Sequence, residues 1–235
     1  MANQWQRQIM LIGDAAQDKL LRSHAAVFGV GGVGSFVCEA LARAGVGTIT
    51  LIDNDTVSES NLNRQLVALH STLGKYKTEV MAKRIFDINP NCRVIERREF
   101  FCEENAESFF DEKYDYIADA IDSVPSKVCL IKTALERDLP IISSMGTGNR
   151  LDPTQLQITD LSKTSGCPLA RVMRQKLRAL GIQHLTVLSS TELPVKPIKD
   201  ETLDENVPGS CAWVPPCAGM MIAGFIVRKL LEDNA

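Results

Sequence analysis

The feature that most constrains the fold is a group of glycines between a short apolar run and a helical pattern. Residues 25–28 (AAVF) suit a buried strand, and apolar residues recur at a helical period from 36 to 44. Glycines let the backbone bend tightly and approach a phosphate, and the helix behind them directs free N–H groups and its positive dipole end at that anion. This order predicts a nucleotide site whose turn contains Gly29, Gly31, Gly32 and Gly34.

A carboxylate follows the second predicted strand, residues 48–52. Asp53 lies about 20 residues beyond the glycines, where a Rossmann-type half places an acceptor for ribose hydroxyls. Gly29, Gly31 and Gly34 also satisfy the pattern GxGxxG, which suits NAD. As far as Asp53, the sequence therefore leaves the identity of the nucleotide open.

Polar and cationic residues beyond Asp53 favour a triphosphate. Asp55 follows closely, Asn61 and Arg64 lie three apart in SNLNRQ, and Lys77 comes thirteen residues after Arg64. A dinucleotide fold has no need of these residues. Arginine offers a planar fork of donors to phosphate oxygens and lysine a compact charge, so the pair suits a triphosphate whose charge must be held while one bond breaks.

The rest of the chain alternates predicted strands and helices, which indicates an α/β, Rossmann-like fold with a mostly parallel sheet and helices on both faces. Residues 4–21 are predicted to form a short helix and turn. Further strands are predicted at 93–97, 114–120, 139–143, 156–161 and 185–189, and helices at 75–87, 103–111, 126–137, 168–181 and from 218 onward. We interpret the chain as one domain, with a nucleotide-binding core at about 20–145 and an irregular, substrate-facing C-terminal extension at about 146–235. Residues 190–209, polar and with three prolines, are predicted to form a long mobile loop.

Asp122 follows the strand predicted at 114–120. Ligands of open α/β sheets bind beyond the carboxyl ends of strands at a switch point, and Asp122 is expected there, facing the glycine turn. Asp119, three residues earlier, is predicted to be a structural carboxylate at the strand end.

The composition limits which partners the protein can have and where in the cell it can be located. The net charge of −3 and pI of about 5.7 give no global attraction to nucleic acid, so any RNA contact needs a local basic patch. The N-terminus lacks a signal pattern, and the apolar run 211–227 contains two prolines and falls short of the roughly 20 residues of a spanning helix, so we expect a cytoplasmic protein without a membrane partner. Seven cysteines without a CxxC pair argue against a disulfide framework or a zinc clamp.

One basic patch is apparent in RVMRQKLR, residues 171–178, which contains four basic residues and no acid. A helix places Arg171, Arg174 and Arg178 on one face, with Lys176 in the same segment. Such a stripe alone is typical of a solvated helix face. The three histidines, at 24, 70 and 184, have no ligand or triad spacing and are predicted to be structural or at the surface.

At these motifs the chain resembles the adenylating domain of ubiquitin-activating enzymes and their bacterial relatives, which activate carboxylates with ATP. The resemblance rests on GVGGVG at 29–34, LIDNDTVSESNLNRQ at 51–65 and the lysine at 77, and extends from WQRQI at 5–9 through AIDSVPSK at 120–127 to the C-terminal helix. Within the family, residues 146–178 and 189–197 resemble the tRNA threonylcarbamoyladenosine dehydratases in particular.

The resemblance implies a role for each site residue. Asp122 becomes a Mg²⁺ ligand, Arg64 and Lys77 bind ATP phosphates, Asn61 orients them and Asp53 holds the ribose. An arginine placed like Arg7 reaches the phosphates of the neighbouring subunit in the family, which implies a homodimer. For the basic segment, the resemblance makes tRNA phosphate binding the better interpretation.

The resemblance also implies the reaction: adenylation of the carboxylate of threonylcarbamoyladenosine in tRNA, then cyclisation with release of AMP and pyrophosphate. The resemblance leaves open whether a monovalent cation (Na⁺ or K⁺) binds near residues 146–152 and whether a sulfur-transfer protein is a partner.

Two other functions compete. One is an activator of a ubiquitin-like sulfur carrier for thiamine or molybdopterin synthesis, with Cys211 or Cys217 as a possible acceptor thiol, although such relatives commonly carry two CxxC pairs and buried thiols are the simpler interpretation. The other is a non-catalytic nucleotide-binding or NAD protein, which Arg64, Lys77 and Asp122 disfavour.

Overall fold

The computed structural model describes residues 4–198 and 207–232. Within them one sheet has the strand order β3-β2-β1-β4-β5-β7-β6, and each neighbouring pair is parallel except β7 with β6. The strands are β1 His24–Phe28, β2 Thr48–Ile52, β3 Arg93–Arg97, β4 Tyr116–Asp119, β5 Ile141–Ser144, β6 Leu156–Asp160 and β7 Thr186–Ser190. The α-helices are α1 Gln6–Ile12, α2 Asp14–Arg22, α3 Gly34–Ala44, α4 Lys77–Ile88, α5 Val124–Glu136, α6 Pro168–Ala179 and α7 Val214–Leu231.

The sheet is covered on both faces, because successive residues of a strand point to opposite sides. Ala25 and Val27 of β1 join the apolar core formed with α3, α4 and α7. Ala26 and Phe28 join a second core formed with α5 and α6. The predicted α/β, Rossmann-like fold is therefore confirmed.

Two glycines fix the turn between β1 and α3. Gly29 has φ +87°, and a Cβ on it would lie 2.6 Å from the carbonyl oxygen of Ala120. A Cβ on Gly34 would lie 1.7 Å from the carbonyl oxygen of Gly29. Both positions exclude a side chain, so the turn can lie directly against the end of β4.

The N-terminal segment differs from the single short helix predicted for it. Two helices form, and they are separated by Gly13 with φ +81°. Trp5 Nε1 donates a hydrogen bond to the carbonyl oxygen of Arg43 at 3.0 Å, and Gln8 Nε2 donates to that of Ala44 at 2.8 Å. Helix α1 therefore docks on the carboxyl end of α3, the end remote from the glycine turn.

Two other segments differ from expectation. Residues Glu103–Phe109 form a 3₁₀ helix rather than an α-helix. The loop predicted at 190–209 has no helix or strand at 191–198 and 207–209, and its residues 199–206 lie outside the described part of the chain.

Helix α7 completes the first core. Its Pro215 lies in the first helical turn, where a missing N–H costs no intrahelical hydrogen bond. Gly219 permits close packing on α3, since a Cβ there would lie 2.4 Å from the carbonyl oxygen of Val33. Among the described residues, α7 alone has the length and apolar composition of a membrane span, but eight of its residues are buried inside the protein, as in the core helix of a globular fold.

Candidate active site

A cavity of about 810 Å³ opens at the carboxyl edge of the sheet, where β1 and β4 lie side by side. From this point β1 connects to β2 on one side and β4 connects to β5 on the other, so the cavity lies at the switch point of the sheet. Most of the predicted site residues line it: Gly29, Gly31, Gly32, Asp53, Asp55, Arg64, Lys77 and Asp122.

Asp53 is fixed beside the glycine turn by two backbone donors. Its Oδ2 accepts from Val30 N at 2.7 Å, and its Oδ1 accepts from Asp55 N at 2.8 Å. Burial raises the pKa of Asp53 above its ordinary value, while the positive charge of Lys77 opposes that rise. The carboxylate therefore holds the turn and β2 together at the cavity wall, where the sequence predicted an acceptor for ribose hydroxyls.

Two cations line the wall near Asp53. Lys77 is the first residue of α4, and its Nζ forms an ion pair with Asp55 Oδ2 at 2.7 Å. The lysine side chain is only 7% exposed, whereas that of Asp55 is 59% exposed. Arg64 Nη1 donates to the carbonyl oxygen of Ser60 and to Asn63 Oδ1, both at 2.9 Å. These contacts position both positive charges at the cavity.

Asp122 is an exposed cavity carboxylate, and no hydrogen bond or ion pair of its side chain is found within residues 4–198 and 207–232. Asp119 differs: its Oδ2 accepts from Lys127 Nζ at 2.8 Å and from Ser143 Oγ at 2.6 Å, inside the core. Its Oδ1 accepts from Ile121 N at 3.1 Å. Asp119 is thus structural, as predicted, and supports the turn that carries Asp122.

Three of the residues predicted for the ATP site lie outside the cavity. Asn61 is buried, and its Oδ1 accepts from Ser58 N at 3.1 Å, so it caps the 3₁₀ turn Glu59–Asn61 that leads to Arg64. Gly34 serves packing rather than ligand approach. Arg7 is exposed on α1, at the far end of α3 from its own glycine turn, and cannot reach the cavity of its own chain.

The basic segment forms α6 as predicted, with unequal arginines. Arg171, Lys176 and Arg178 are exposed. Arg174 is half-buried, and its Nη1 donates to the carbonyl oxygen of Thr164 at 2.9 Å and to Thr164 Oγ1. This guanidinium is therefore already engaged in holding the preceding loop.

Sequence reasoning missed the remaining walls of the cavity. Glu99, Phe100 and Phe101 line it, as do residues 146–150 and 167–169 together with Val207, Pro208 and Ser210. These segments lie in loops or at a helix start and carry no periodic pattern, although the two glycines of GTGNR were a signal of close backbone approach. A Cβ on Gly148 would lie 2.7 Å from Pro208 Cβ, which joins two of these segments.

The cysteine side chains are unpaired, and none of the described residues form a cluster of three or more metal-ligating His, Cys, Asp or Glu side chains. Cys211 Sγ lies 3.5 Å from the carbonyl oxygen of Arg150, and Cys217 lies half-buried in the first turn of α7. Neither residue lines the cavity.

A glycine turn, a carboxylate directly after β2, a buried lysine and a half-buried arginine at the switch point define a Rossmann-like nucleotide-binding protein. The chain belongs to the ThiF family, which matches residues 5–233. It is 45% identical over 245 aligned positions to a tRNA threonylcarbamoyladenosine dehydratase of Bacillus subtilis, covering 99% of this chain and 96% of the relative.

Solved structures agree with that assignment. The Escherichia coli tRNA N6-threonylcarbamoyladenosine dehydratase in complex with ATP superposes with a TM-score of 0.89 at 36% identity, covering 97% of this chain and 93% of that one.

An adenylyltransferase and sulfurtransferase of Vanderwaltozyma polyspora is 35% identical over 66% of this chain and 35% of its own length. The predicted family, and the greater likeness to the dehydratases within it, are confirmed.

Proposed function

We propose that this protein is an ATP-dependent dehydratase that adenylates the carboxylate of threonylcarbamoyladenosine in tRNA and cyclises it with release of AMP and pyrophosphate. The observation that best supports this proposal is the cavity at the switch point, which is lined by Asp53, Lys77, Arg64 and Asp122. The chain also aligns over 99% of its length with a dehydratase of this name. We also propose that residues 1–235 act as one adenylating domain, with the core and extension described above.

ATP fits the cavity in one direction. Its ribose lies against Asp53, and its phosphates run along the glycine turn toward Arg64 and Lys77, where the charges are complementary. Lys77 is already paired with Asp55, so phosphate oxygens share or replace that partner. Asn61 then orients the site indirectly, by capping the turn that presents Arg64.

Mg²⁺ fits the residues present. This ion usually uses one or two protein carboxylates together with waters and substrate phosphates, and Asp122 offers one unengaged carboxylate at the cavity. When bound there, it would neutralise charge on the departing pyrophosphate. A Na⁺ or K⁺ ion near residues 146–152 is a weaker proposal, because the guanidinium of Arg150 is buried in the same turn and repels a cation.

The chemistry consists of two displacements. A carboxylate oxygen of the substrate attacks the α-phosphorus, and the bond to the bridging oxygen of pyrophosphate breaks. Arg64 and Lys77 stabilise the charge that develops on the phosphates. A nucleophilic atom of the carbamoyl group then attacks the acyl carbon and loses its proton, and the former carboxylate oxygen departs with AMP, so the net loss from the nucleoside is water. This second step is intramolecular and needs chiefly that the acyl adenylate be held in place.

The partners follow from surface residues. Arg171, Lys176 and Arg178 on α6 offer charge for tRNA phosphates, whereas Arg174 contributes less because it is engaged with Thr164. Arg7 serves a second copy of the chain, since it cannot reach its own cavity. We therefore propose a homodimer that acts on tRNA in the cytoplasm, and a sulfur-transfer protein is a further proposed partner.

The sulfur-carrier alternative is less well supported. The sulfurtransferase relative aligns with a smaller part of this chain than the dehydratase does, and the sequence contains no CxxC pair. Cys211 and Cys217 lie outside the cavity, so neither is placed to accept an acyl group from the adenylate.

One experiment tests the proposal directly. Purified protein is incubated with ATP, Mg²⁺ and tRNA from cells that lack the cyclised base, and the nucleosides are analysed by mass spectrometry. We expect a product lighter than threonylcarbamoyladenosine by one water, with AMP formed in equal amount. AMP formation dependent on an added sulfur-carrier protein, with the tRNA nucleoside unchanged, would favour the alternative.

A further inference from the structure

Arg150 is buried in the cavity wall without a counter-ion. The residue is 2% exposed, and its Nη2 donates to the carbonyl oxygen of Gly166 at 3.2 Å. Its Nε and Nη1 are buried and have no hydrogen-bond partner. No carboxylate of the described residues forms an ion pair with it, and the nearby Glu192 is occupied by Leu151 N and Asp152 N. A buried guanidinium in this state is costly, which calls for an explanation.

The amino end of helix α6, which carries a partial positive charge, lies next to Arg150. Helix α6 begins one residue after Cys167, and Cys167, Pro168 and Leu169 line the same cavity. The side chain of Cys167 makes no capping hydrogen bond. The first N–H groups of a helix lack intrahelical partners and carry the positive end of its dipole. Because Arg150 is bonded to Gly166, the residue before Cys167, the guanidinium and the helix start lie side by side.

From these two observations we propose that Arg150 and the amino end of α6 form an oxyanion subsite for the carboxylate of the acceptor substrate. The inference rests on the proposed function and deepens it. One carboxylate oxygen binds Arg150 and the helix start, which leaves the other directed toward the α-phosphorus of ATP. The subsite differs from the phosphate cations in its position along the sheet and in its partners: Lys77 pairs with Asp55 after β2 and Arg64 bonds to Ser60 and Asn63, whereas Arg150 follows β5 and bonds to Gly166.

The wall must shift slightly for the carboxylate to reach the two buried nitrogen atoms. Asn149, next to Arg150, is tied to Gly209 by two hydrogen bonds of 2.7 Å: Asn149 N donates to the Gly209 carbonyl oxygen, and Gly209 N donates to Asn149 Oδ1. Exposed hydrogen bonds are less costly to exchange for water than buried ones, so the proposal places the shift at these contacts.

The test compares three anticodon stem-loops: one with threonylcarbamoyladenosine, one with its carboxyl group as a methyl ester, and one with plain adenosine. Affinities are measured with wild type, Arg150→Met and Arg150→Lys, and with Arg93→Met as a control on an exposed arginine at the other edge of the sheet. Wild type and the control should prefer the acid over the ester by at least about tenfold, as one lost charged hydrogen bond predicts. In Arg150→Met this ratio should fall close to one, Arg150→Lys should lie between, and ATP affinity should be unchanged.

Two results would overturn the subsite. The first is an unchanged acid-to-ester affinity ratio in Arg150→Met. The second is an equal loss of affinity for all three stem-loops, which would indicate that Arg150 contacts a phosphodiester. If Arg150→Met fails to fold and Arg150→Lys keeps the wild-type ratio, the residue is structural. Failure of the proposed function has a different signature: wild type itself would show no acid preference and form no AMP with the acid stem-loop.

Discussion

Lys127 Nζ lies 2.8 Å from Asp119 Oδ2, and both side chains are fully buried beneath the active-site cavity. Replacing Lys127 with Met leaves a buried carboxylate without its cation, so we expect a loss of about 3–5 kcal/mol in unfolding free energy. Urea denaturation followed by far-UV circular dichroism measures it. The double variant Asp119→Asn with Lys127→Met should lose less than the single variant, because no unpaired charge remains. A double variant as unstable as Lys127→Met would show that the lysine acts through packing alone.

Asp122→Asn should abolish most adenylation and leave the fold intact. The side chain is exposed and unengaged, so its removal costs little stability, while loss of one electrostatic contact to the reacting phosphates typically costs about 10² to 10³ in rate. ATP–pyrophosphate exchange at saturating Mg²⁺ measures the effect. Asp18→Asn is the matched control, since Asp18 is an exposed carboxylate on α2. Wild-type exchange in Asp122→Asn would refute its assigned role.

The cavity should bind ATP and discriminate against NAD. Lys77→Met should weaken ATP binding at least about tenfold, because a cation beside the phosphates is lost, and should also lower stability, because the buried Asp53 loses the positive charge that opposes the rise of its pKa. Isothermal titration calorimetry tests both ligands, with Lys83→Met, an exposed lysine of α4, as control. Micromolar NAD binding without detectable ATP binding would contradict the assignment.

The exposed cations of α6 should control the salt dependence of tRNA binding. The triple variant Arg171→Gln, Lys176→Gln and Arg178→Gln should bind tRNA more weakly and flatten the plot of log affinity against log salt by up to about 0.9 per lost duplex contact. ATP binding should survive. Arg174→Gln should instead lower stability, because that guanidinium bonds to Thr164. Unchanged tRNA affinity of the triple variant at several salt concentrations would identify a merely solvated helix face.

His24 should make stability fall on mild acidification. Burial lowers the pKa of His24 below its ordinary value of 6.5, although Glu112 and Asp115 oppose the shift. The unfolded chain therefore binds the proton more tightly, and the stabilisation present above pH 6.5 is lost as the pH falls from 6.5 toward the folded pKa. Denaturant midpoints between about pH 7.5 and 5.5 should fall less in His24→Gln than in wild type. If the denaturant midpoint falls equally with pH in His24→Gln and in wild type, titratable groups other than His24 dominate the pH dependence of stability.

The local pattern predicted much of the fold, because strand, turn and helix signals near the glycines involve residues close in sequence. The strands Thr48–Ile52 and Arg93–Arg97 have the predicted bounds. The antiparallel pairing of β6 with β7 was not predicted, since it joins strands across the intervening α6 and depends on tertiary packing. Arg150 was missed for a related reason: a charged residue in an irregular loop is expected at the surface, and only the assembled loops bury it.

The packing of α7 on α3 also has a consequence for biosynthesis. These helices lie roughly 170 residues apart in sequence, and Gly219 fits against the carbonyl of Val33 at the glycine turn. While the ribosome is still making the intervening residues, the apolar side of α3 has no cover, and the glycine turn lacks the helix that packs behind it. Nascent chains stalled before residue 214 should therefore remain protease-sensitive and gain no protection from ATP, and the nucleotide can stabilise only a chain whose synthesis has passed α7.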